Sequence, residues 1–94
     1  MAAATFINAI CSGHGCFPPR KALEGSDNVF VNGKGMSRVG DAWETHCCTI
    51  ICHDSIGVQG SEKVFINGRA AMRIGDAIEC GSVVAQGSSK VFFG

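Results

Sequence analysis

The chain has 94 residues, the size of one small domain, and its acidic and basic residues balance to a formal net charge of zero. Only 17% of the residues are charged, which argues against a nucleic-acid partner or an anionic membrane surface. A hydrophobic content of 46% excludes a disordered chain. No apolar run approaches the roughly 20 residues of a membrane-spanning helix. Thirteen glycines favour turns and short strands over long helices.

An internal repeat with an offset of 35 residues organises the sequence. Residues 25–44 and 60–79 are identical at 11 of 20 positions, which chance does not produce over such a length. A third copy of the same opening runs over 87–94. We therefore expect a single domain over 1–94, made of two full units and one truncated unit around a pseudo-threefold axis.

Each unit opens with a Gly-Ser turn and continues into a short strand of β-branched and aromatic residues. In the first strand Phe30 faces opposite to Val29 and Val31, so both faces of that strand are apolar. One face is expected to be buried in the core, and the other is expected either to be buried as well or to dock a partner. The two repeat-equivalent sets are Phe30, Phe65 and Phe92 on one face and Val29, Val64 and Val91 on the other.

The first two strands lead into Asn32-Gly33 and Asn67-Gly68. This dipeptide favours a type I′ hairpin turn, which needs positive φ at both central residues. Second strands are predicted over 36–39 and 71–74. The predicted fold is therefore all-β, a small set of β-hairpins with no substantial helix, although residues 41–52 permit one helical turn.

Three histidines and six cysteines are the candidate ligands. His14 lies between two glycines, His46 follows the first unit, and His53 closes the inter-unit segment 47–52. Cys80 follows the second unit, one residue out of phase with His46. Three imidazoles and one thiolate complete a tetrahedral zinc site. A cysteine of the 47–52 segment is an alternative fourth ligand, and three unrelated surface histidines explain the spacing equally well.

The other five cysteines have two interpretations. A disulfide framework would require an extracellular route, whereas buried small residues or spare thiols would not. The N-terminus has no basic region of the kind that begins a secretory signal, so nothing in the sequence supplies that route. These cysteines are expected to be small buried residues or spare thiols rather than ligands, and whether they form disulfides stays open. These cysteines are Cys11, Cys16, Cys47, Cys48 and Cys52.

Catalysis is not expected from this sequence. Cys16 beside His14 is a conceivable nucleophile pair, but no third orienting residue and no oxyanion-hole motif accompany it. Asp41 and Asp76 occupy the same position in two units. They are therefore predicted to cap loop amides or to pair with the equivalent arginines rather than to act as paired acids.

In combination these features resemble the PAAR-repeat proteins, the small cones on the trimeric spikes of type VI secretion systems and related contractile phage tails. The similarity lies in Gly13-His14 with Pro18-Pro19, in Gly-Ser-x-x-Val-Phe three times, and in two Asn-Gly-(Lys/Arg)-x-x-x-Arg-(Val/Ile)-Gly-Asp stretches. The Pro-Ala-Ala-Arg stretch that names the family reads Gly-Met-Ser-Arg at 35–38 and Ala-Ala-Met-Arg at 70–73. Only its arginine is retained in both units.

The resemblance covers nearly the whole chain and implies a sharp β cone with one structural zinc near its point. It assigns His14, His46, His53 and Cys80 as the ligands. It also implies that the blunt base docks on a trimeric spike protein of the valine-glycine-repeat type or on a phage counterpart. Family members often carry toxin or adaptor extensions, so an effector is a further partner in principle. We expect this chain to be a bare tip.

The predicted function is therefore that of a structural, non-enzymatic spike tip that caps and sharpens a contractile injection machine for membrane piercing. A hypothesis from a different class is a stand-alone zinc-binding or thiol-redox module. We expect synthesis in the cytoplasm without a signal peptide. Delivery would then be outside the cell, into a target cell, or as part of a phage tail tip.

Overall fold

The structure is a computed structural model that describes all 94 residues and contains strands but no helix. Its strands pair as four two-stranded antiparallel sheets, which confirms the all-β prediction. No helix that could cross a membrane is found. The strands are β1 (Ala2–Ala3), β2 (Phe30–Val31), β3 (Lys34–Gly35), β4 (Ala42–Cys48), β5 (Ile51–Ile56), β6 (Phe65–Ile66), β7 (Arg69–Ala70) and β8 (Phe92–Phe93).

Two of the hairpins have the predicted Asn-Gly turns. The backbone φ angles are 54° and 75° at Asn32 and Gly33, and 55° and 80° at Asn67 and Gly68. Positive φ at both central residues matches the twist of the paired strands, which is why this dipeptide ends β2 and β6.

The turn glycines are expected to be sensitive to substitution. A Cβ atom at Gly33 or Gly68 would meet no atom within 4 Å, so any destabilisation there comes from backbone strain alone. We expect Gly33→Val or Gly68→Val to lower the free energy of unfolding by about 1–3 kcal/mol in urea denaturation. Gly33→Asn is the matched control, because asparagine tolerates positive φ. Parental stability in both valine variants would contradict this turn geometry.

The strand pair of the third unit is built from segments that are distant in sequence. Strand β8 pairs with β1, so that Phe92 lies opposite Ala3 and Phe93 lies opposite Ala2. Strand β1 thus takes the place that β3 and β7 have in the other two units. The N-terminal strand completes in space the unit that the repeat leaves truncated.

The second strands differ in extent from their predicted ranges, 36–39 and 71–74. The hairpin partners β3 and β7 begin two residues earlier and are only two residues long. Beyond them the chain leaves its hairpin and forms single bridges to the next unit around the axis. This exchange of partners links the three units into a closed ring. The bridges are Met36 with Phe6, Arg38 with Ala71, and Ala4 with Arg73.

A closed ring of backbone hydrogen bonds marks the pseudo-threefold axis. The amide of Thr5 donates to Met72 at 3.2 Å, that of Met72 donates to Ser37 at 3.0 Å, and that of Ser37 donates to Thr5 at 3.1 Å. All three residues are fully buried. Buried backbone groups must be paired, so the cyclic pattern holds the three units in fixed relation.

The buried apolar side chains form two clusters. The first contains Val31 and Ile66 of strands β2 and β6, and the second contains Met72 of the ring and has Cys80 packed against it. The molecule is elongated, with extents of 37 × 23 × 22 Å. The first cluster is Ala4, Phe6, Ala9, Val31, Met36, Ile66 and Ala71, and the second is Cys11, Ala22, Trp43, Met72, Ile78 and Val84.

Two buried ion pairs hold the ends of the repeat units. The carboxylate of Asp41 accepts hydrogen bonds from the backbone amide, Nε and Nη2 of Arg38, each at 2.9 Å. Asp76 accepts the same three bonds from Arg73. The hydrogen bond to Asp41 raises the pKa of Arg38, which stays charged. These acids are therefore structural, as their equivalent positions predicted.

Removal of one of these acids is expected to be costly. Only 2% of the Asp41 side chain and 12% of the Arg38 side chain are exposed, so Asp41→Ala leaves a largely buried guanidinium without its partner. We expect the free energy of unfolding to fall by about 3–5 kcal/mol in urea denaturation. Asp27→Ala, at an exposed acid, serves as the control. A loss below about 1 kcal/mol, as for a surface pair, would contradict this role.

Residues 41–52 do not form a helical turn. They belong to the β4–β5 hairpin, the longest in the molecule, and a register shift interrupts the pairing between Trp43 and His46. Thr45, Thr49 and the two isoleucines that follow are β-branched, which favours a strand over a helix. Thr49 adopts positive φ (57°) in the turn. This hairpin carries two of the candidate ligands.

Candidate metal centre

The four residues assigned by the family resemblance lie together, and Cys80 packs against the second apolar cluster. The ligand atoms of His14, His46, His53 and Cys80 are all within 4.8 Å of one another. The alternative fourth ligands do not join them, because the cysteines of the 47–52 segment pair elsewhere. The group has the composition to hold one metal ion, and the role of each residue as a ligand stays a prediction.

The β4–β5 hairpin positions two of the imidazoles. His46 lies directly opposite His53 in the register, and strand periodicity directs both side chains to the same face. Their Nε2 atoms are 2.9 Å apart. Two ring nitrogens are thereby brought to one point by the pairing of the two strands beyond the register shift.

A tight turn brings the third imidazole. The amides of His14 and Phe17 each donate to the carbonyl of the other, at 3.0 and 2.8 Å. Gly13 has φ of 71°, and a Cβ atom there would lie only 2.6 Å from the Phe17 carbonyl oxygen. Gly15 also has positive φ. The two glycines are therefore required by the turn that presents His14.

The thiol comes from the end of the second unit. The amide of Gly81 donates to the carbonyl of Ile78 at 3.0 Å, which closes a turn around Cys80. Gly81 has φ of 105°, and a Cβ atom there would approach the His14 ring at 3.8 Å. Cys80 is a free thiol and is only partly exposed.

The protonation state of the imidazoles suits metal binding. The Nδ1 atom of His46 is 2.9 Å from the carbonyl oxygen of Pro18. A carbonyl only accepts, so Nδ1 carries the proton and Nε2 presents its lone pair to the cluster. The Nε2 atom of His14 is buried without a hydrogen-bond partner. Burial, followed by the repulsion that His46 and His53 exert when they are protonated, lowers the pKa of His14 and favours the neutral ring that ligates metals.

Contacts of two neighbouring residues with the candidate ligands were not predicted from the sequence. The ring of Phe17 stacks on His14 with centroids 4.8 Å apart and meets His53 edge-on at 4.4 Å. The Pro18 carbonyl orients His46, as described above. Both residues belong to the stretch that follows Gly13-His14, so its proximity to a candidate ligand was the available signal.

Four of the six cysteines form disulfides, Cys16 with Cys48 and Cys47 with Cys52. Of the five cysteines outside the ligand set, only Cys11 is a buried small residue, and the other four are not spare thiols. The disulfide also removes Cys16 as the free thiol that a nucleophile needs.

The two candidate docking sets differ in accessibility. Phe30, Phe65 and Phe92 are 59%, 60% and 49% exposed. In the other set Val29 and Val91 are partly exposed, whereas Val64 is half-buried against the first apolar cluster. Neither set is fully buried, contrary to the expectation for one of them. The reason is that Val31 and Ile66, one pleat further along, fill the core instead.

Comparison with known proteins agrees with this geometry. The PAAR motif matches residues 12–86, which include all four candidate ligands and both full repeat units. No curated protein matches the chain. The matched region covers well over half of the 94 residues, and it folds as strands that converge on a His/Cys cluster. The chain therefore belongs to the PAAR-motif family.

Proposed function

We propose that this protein is a structural spike tip that caps the trimeric spike of a contractile injection machine and sharpens it for membrane piercing. The observation that carries the proposal is the set of three exposed phenylalanines, Phe30, Phe65 and Phe92, at equivalent positions around one axis. A single chain with this symmetry matches the end of a trimer. Membership of the PAAR-motif family supports the same role.

The partner proposed for this face is a spike protein of the valine-glycine-repeat type or its phage counterpart. The face offers aromatic side chains, and the chain has no net charge, so docking would depend on apolar contact rather than on electrostatic steering. An effector carried by the same machine is a further partner of this proposal. With this role we propose that the protein is made in the cytoplasm and is then delivered outside the cell or into a target cell, or forms part of a phage tail tip.

The proposed metal is one structural zinc ion. Three imidazoles and one thiolate suit zinc, and four protein ligands leave no open position for substrate. His14, His46, His53 and Cys80 would hold it. Structural zinc contributes about 10–16 kcal/mol of apparent binding free energy in small peptides. It would hold together loops at a point where few side chains fit to form a core.

A thiol-redox module is the second candidate function, and the two disulfides favour it. Such a module would transfer its disulfides to a substrate and would not need a trimeric partner. The two hypotheses are separated by mixing the purified protein with a trimeric spike fragment and measuring the mass of the complex. One chain per trimer supports the spike tip. No complex, together with oxidation of a model dithiol substrate to its disulfide, supports the redox module.

A further inference from the structure

The hairpin end beyond the candidate metal centre contains both disulfides. The α-carbons of Cys16 and Cys48 are 5.4 Å apart, and those of Cys47 and Cys52 are 4.0 Å apart. None of the four sulfurs belongs to the proposed ligand set. Cys16, Cys47 and Cys52 are exposed, so both pairs are accessible to small reagents.

The two disulfides differ in the parts of the chain that they connect. Cys47 and Cys52 are register partners within the β4–β5 hairpin, so their bond joins strands that the backbone already pairs. Cys16 and Cys48 are separated by 32 residues and lie on two different segments. Only the Cys16–Cys48 bond therefore ties one part of the fold to another.

The segments joined by Cys16–Cys48 are the ones that carry candidate ligands. His14 precedes Cys16 by two residues, and His46 precedes Cys48 by two residues. Because side chains alternate along a strand, Cys48 faces the same side of the hairpin as His46, whereas Cys47 faces the other side. The Cys16–Cys48 bond consequently lies on the ligand side and spans the His14 turn and the His46 strand.

The other links between these two segments are noncovalent. The Phe17 ring contacts His46 and His53, Arg20 forms an ion pair with Glu44 at 3.9 Å, and the amide of Glu44 donates to the carbonyl of Lys21 at 2.9 Å. The backbone hydrogen bonds of His14 and Phe17 are made to each other, within the turn. The Pro18 carbonyl accepts from His46 at 2.9 Å, and Arg20 Nε donates to the Thr45 carbonyl at 3.2 Å. The disulfide is the only covalent link between the turn and the hairpin apart from the chain itself.

We infer that the Cys16–Cys48 disulfide is a redox-controlled cross-link that stabilises the metal centre. When it is formed, it keeps His14 beside His46, and a bound metal ion leaves slowly. When it is reduced, the His14 turn separates from the hairpin more easily and the ion exchanges faster. This inference rests on the proposed metal site but not on docking to a spike.

The redox step is an ordinary thiol–disulfide exchange. A low-molecular-weight disulfide such as oxidised glutathione accepts two electrons and two protons from Cys16 and Cys48 and becomes two thiols. One S–S bond is broken in the reagent and one is formed in the protein. Reduction by an excess of a small reductant reverses the step.

The test measures how fast zinc leaves the protein in its two redox states. The chain is loaded with one equivalent of Zn²⁺, then either oxidised with oxidised glutathione or reduced with a phosphine that does not bind zinc. Alkylation after unfolding should then modify two of six cysteines in the oxidised sample, Cys11 and Cys80, and all six in the reduced one. A chromogenic chelator reports the release rate. We expect release about tenfold faster from the reduced protein.

Two double variants assign the effect to one bond. Cys16→Ser with Cys48→Ser should release zinc at the fast rate even under oxidising conditions. Cys47→Ser with Cys52→Ser, the matched control, should keep the slow rate and its response to reduction. Equal zinc release rates in the two redox states, or the same change of rate in both double variants, would overturn the inferred role of the Cys16–Cys48 cross-link. If the chain takes up no zinc in either state, the metal proposal fails along with it.

Discussion

Alanine in place of any one of His14, His46, His53 or Cys80 is expected to empty the metal site and to lower the melting temperature by at least about 10 °C. The effect is large because a closed structural site needs all of its ligands. The apparent free energy of zinc binding, about 10–16 kcal/mol, is comparable to the whole stability of a small domain. Zinc content by elemental analysis should fall from about one per chain to well below that.

Cys11→Ala is the control for this series, because Cys11 is a free cysteine buried in the second apolar cluster. It should retain its zinc and lose only the free energy of a small cavity, about 1 kcal/mol. Full zinc retention in Cys80→Ala would contradict the assignment of Cys80 as the fourth ligand. If that retention disappears on adding Cys48→Ser, the thiolate comes from the 47–52 segment.

The local parts of this fold follow from short stretches of sequence. An Asn-Gly dipeptide after a Val-Phe strand specifies its own turn, so β2 and β6 with their turns could be predicted residue by residue. The repeat also placed Asp41 and Asp76 at equivalent positions, each directly after a glycine. These features depend on backbone preferences within a few residues, and the repeat displays each of them twice.

The parts that the sequence did not reveal depend on contacts between distant segments. Nothing in Ala2-Ala3 indicates a strand, because its pairing is imposed by β8 at the other end of the chain. The disulfide partners depend on the register of β4–β5, which only the folded hairpin defines. His46 and His53 could be proposed as ligands from their chemistry, but their position opposite each other follows from that same register.

The two ends of the molecule differ in how they gain stability. At the hairpin end two disulfides and the His/Cys group lie where the other end has buried apolar side chains. At the other end Phe30, Phe65 and Phe92 expose apolar area beyond what the first cluster buries. Exposed aromatic side chains arranged around an axis are costly in a monomer and useful in a complex.

Aspartate at Phe30, Phe65 and Phe92 together is expected to abolish capping of a trimeric spike and to leave the zinc content unchanged. A fully buried phenylalanine contributes about 1.5–3 kcal/mol, so three of them approach the roughly 8 kcal/mol of a micromolar complex. Burying three unpaired carboxylates would add a further penalty. These side chains are 49–60% exposed in the free chain, so folding should tolerate the change.

Co-purification with a trimeric spike fragment measures this loss, and Ile50→Asp with Ile51→Asp is the matched control. Those isoleucines are 95% and 64% exposed, in the turn of the β4–β5 hairpin, so they gain the same kind of charge far from the proposed docking face. The control should still bind. Aspartate at Val29, Val64 and Val91 is a harsher test, because Val64 packs against the core and its loss affects stability as well as docking. If the phenylalanine variant and the valine variant both cap the spike normally while keeping their zinc, the apolar strand faces are not the docking surface, and the partner must bind through loops or strand ends.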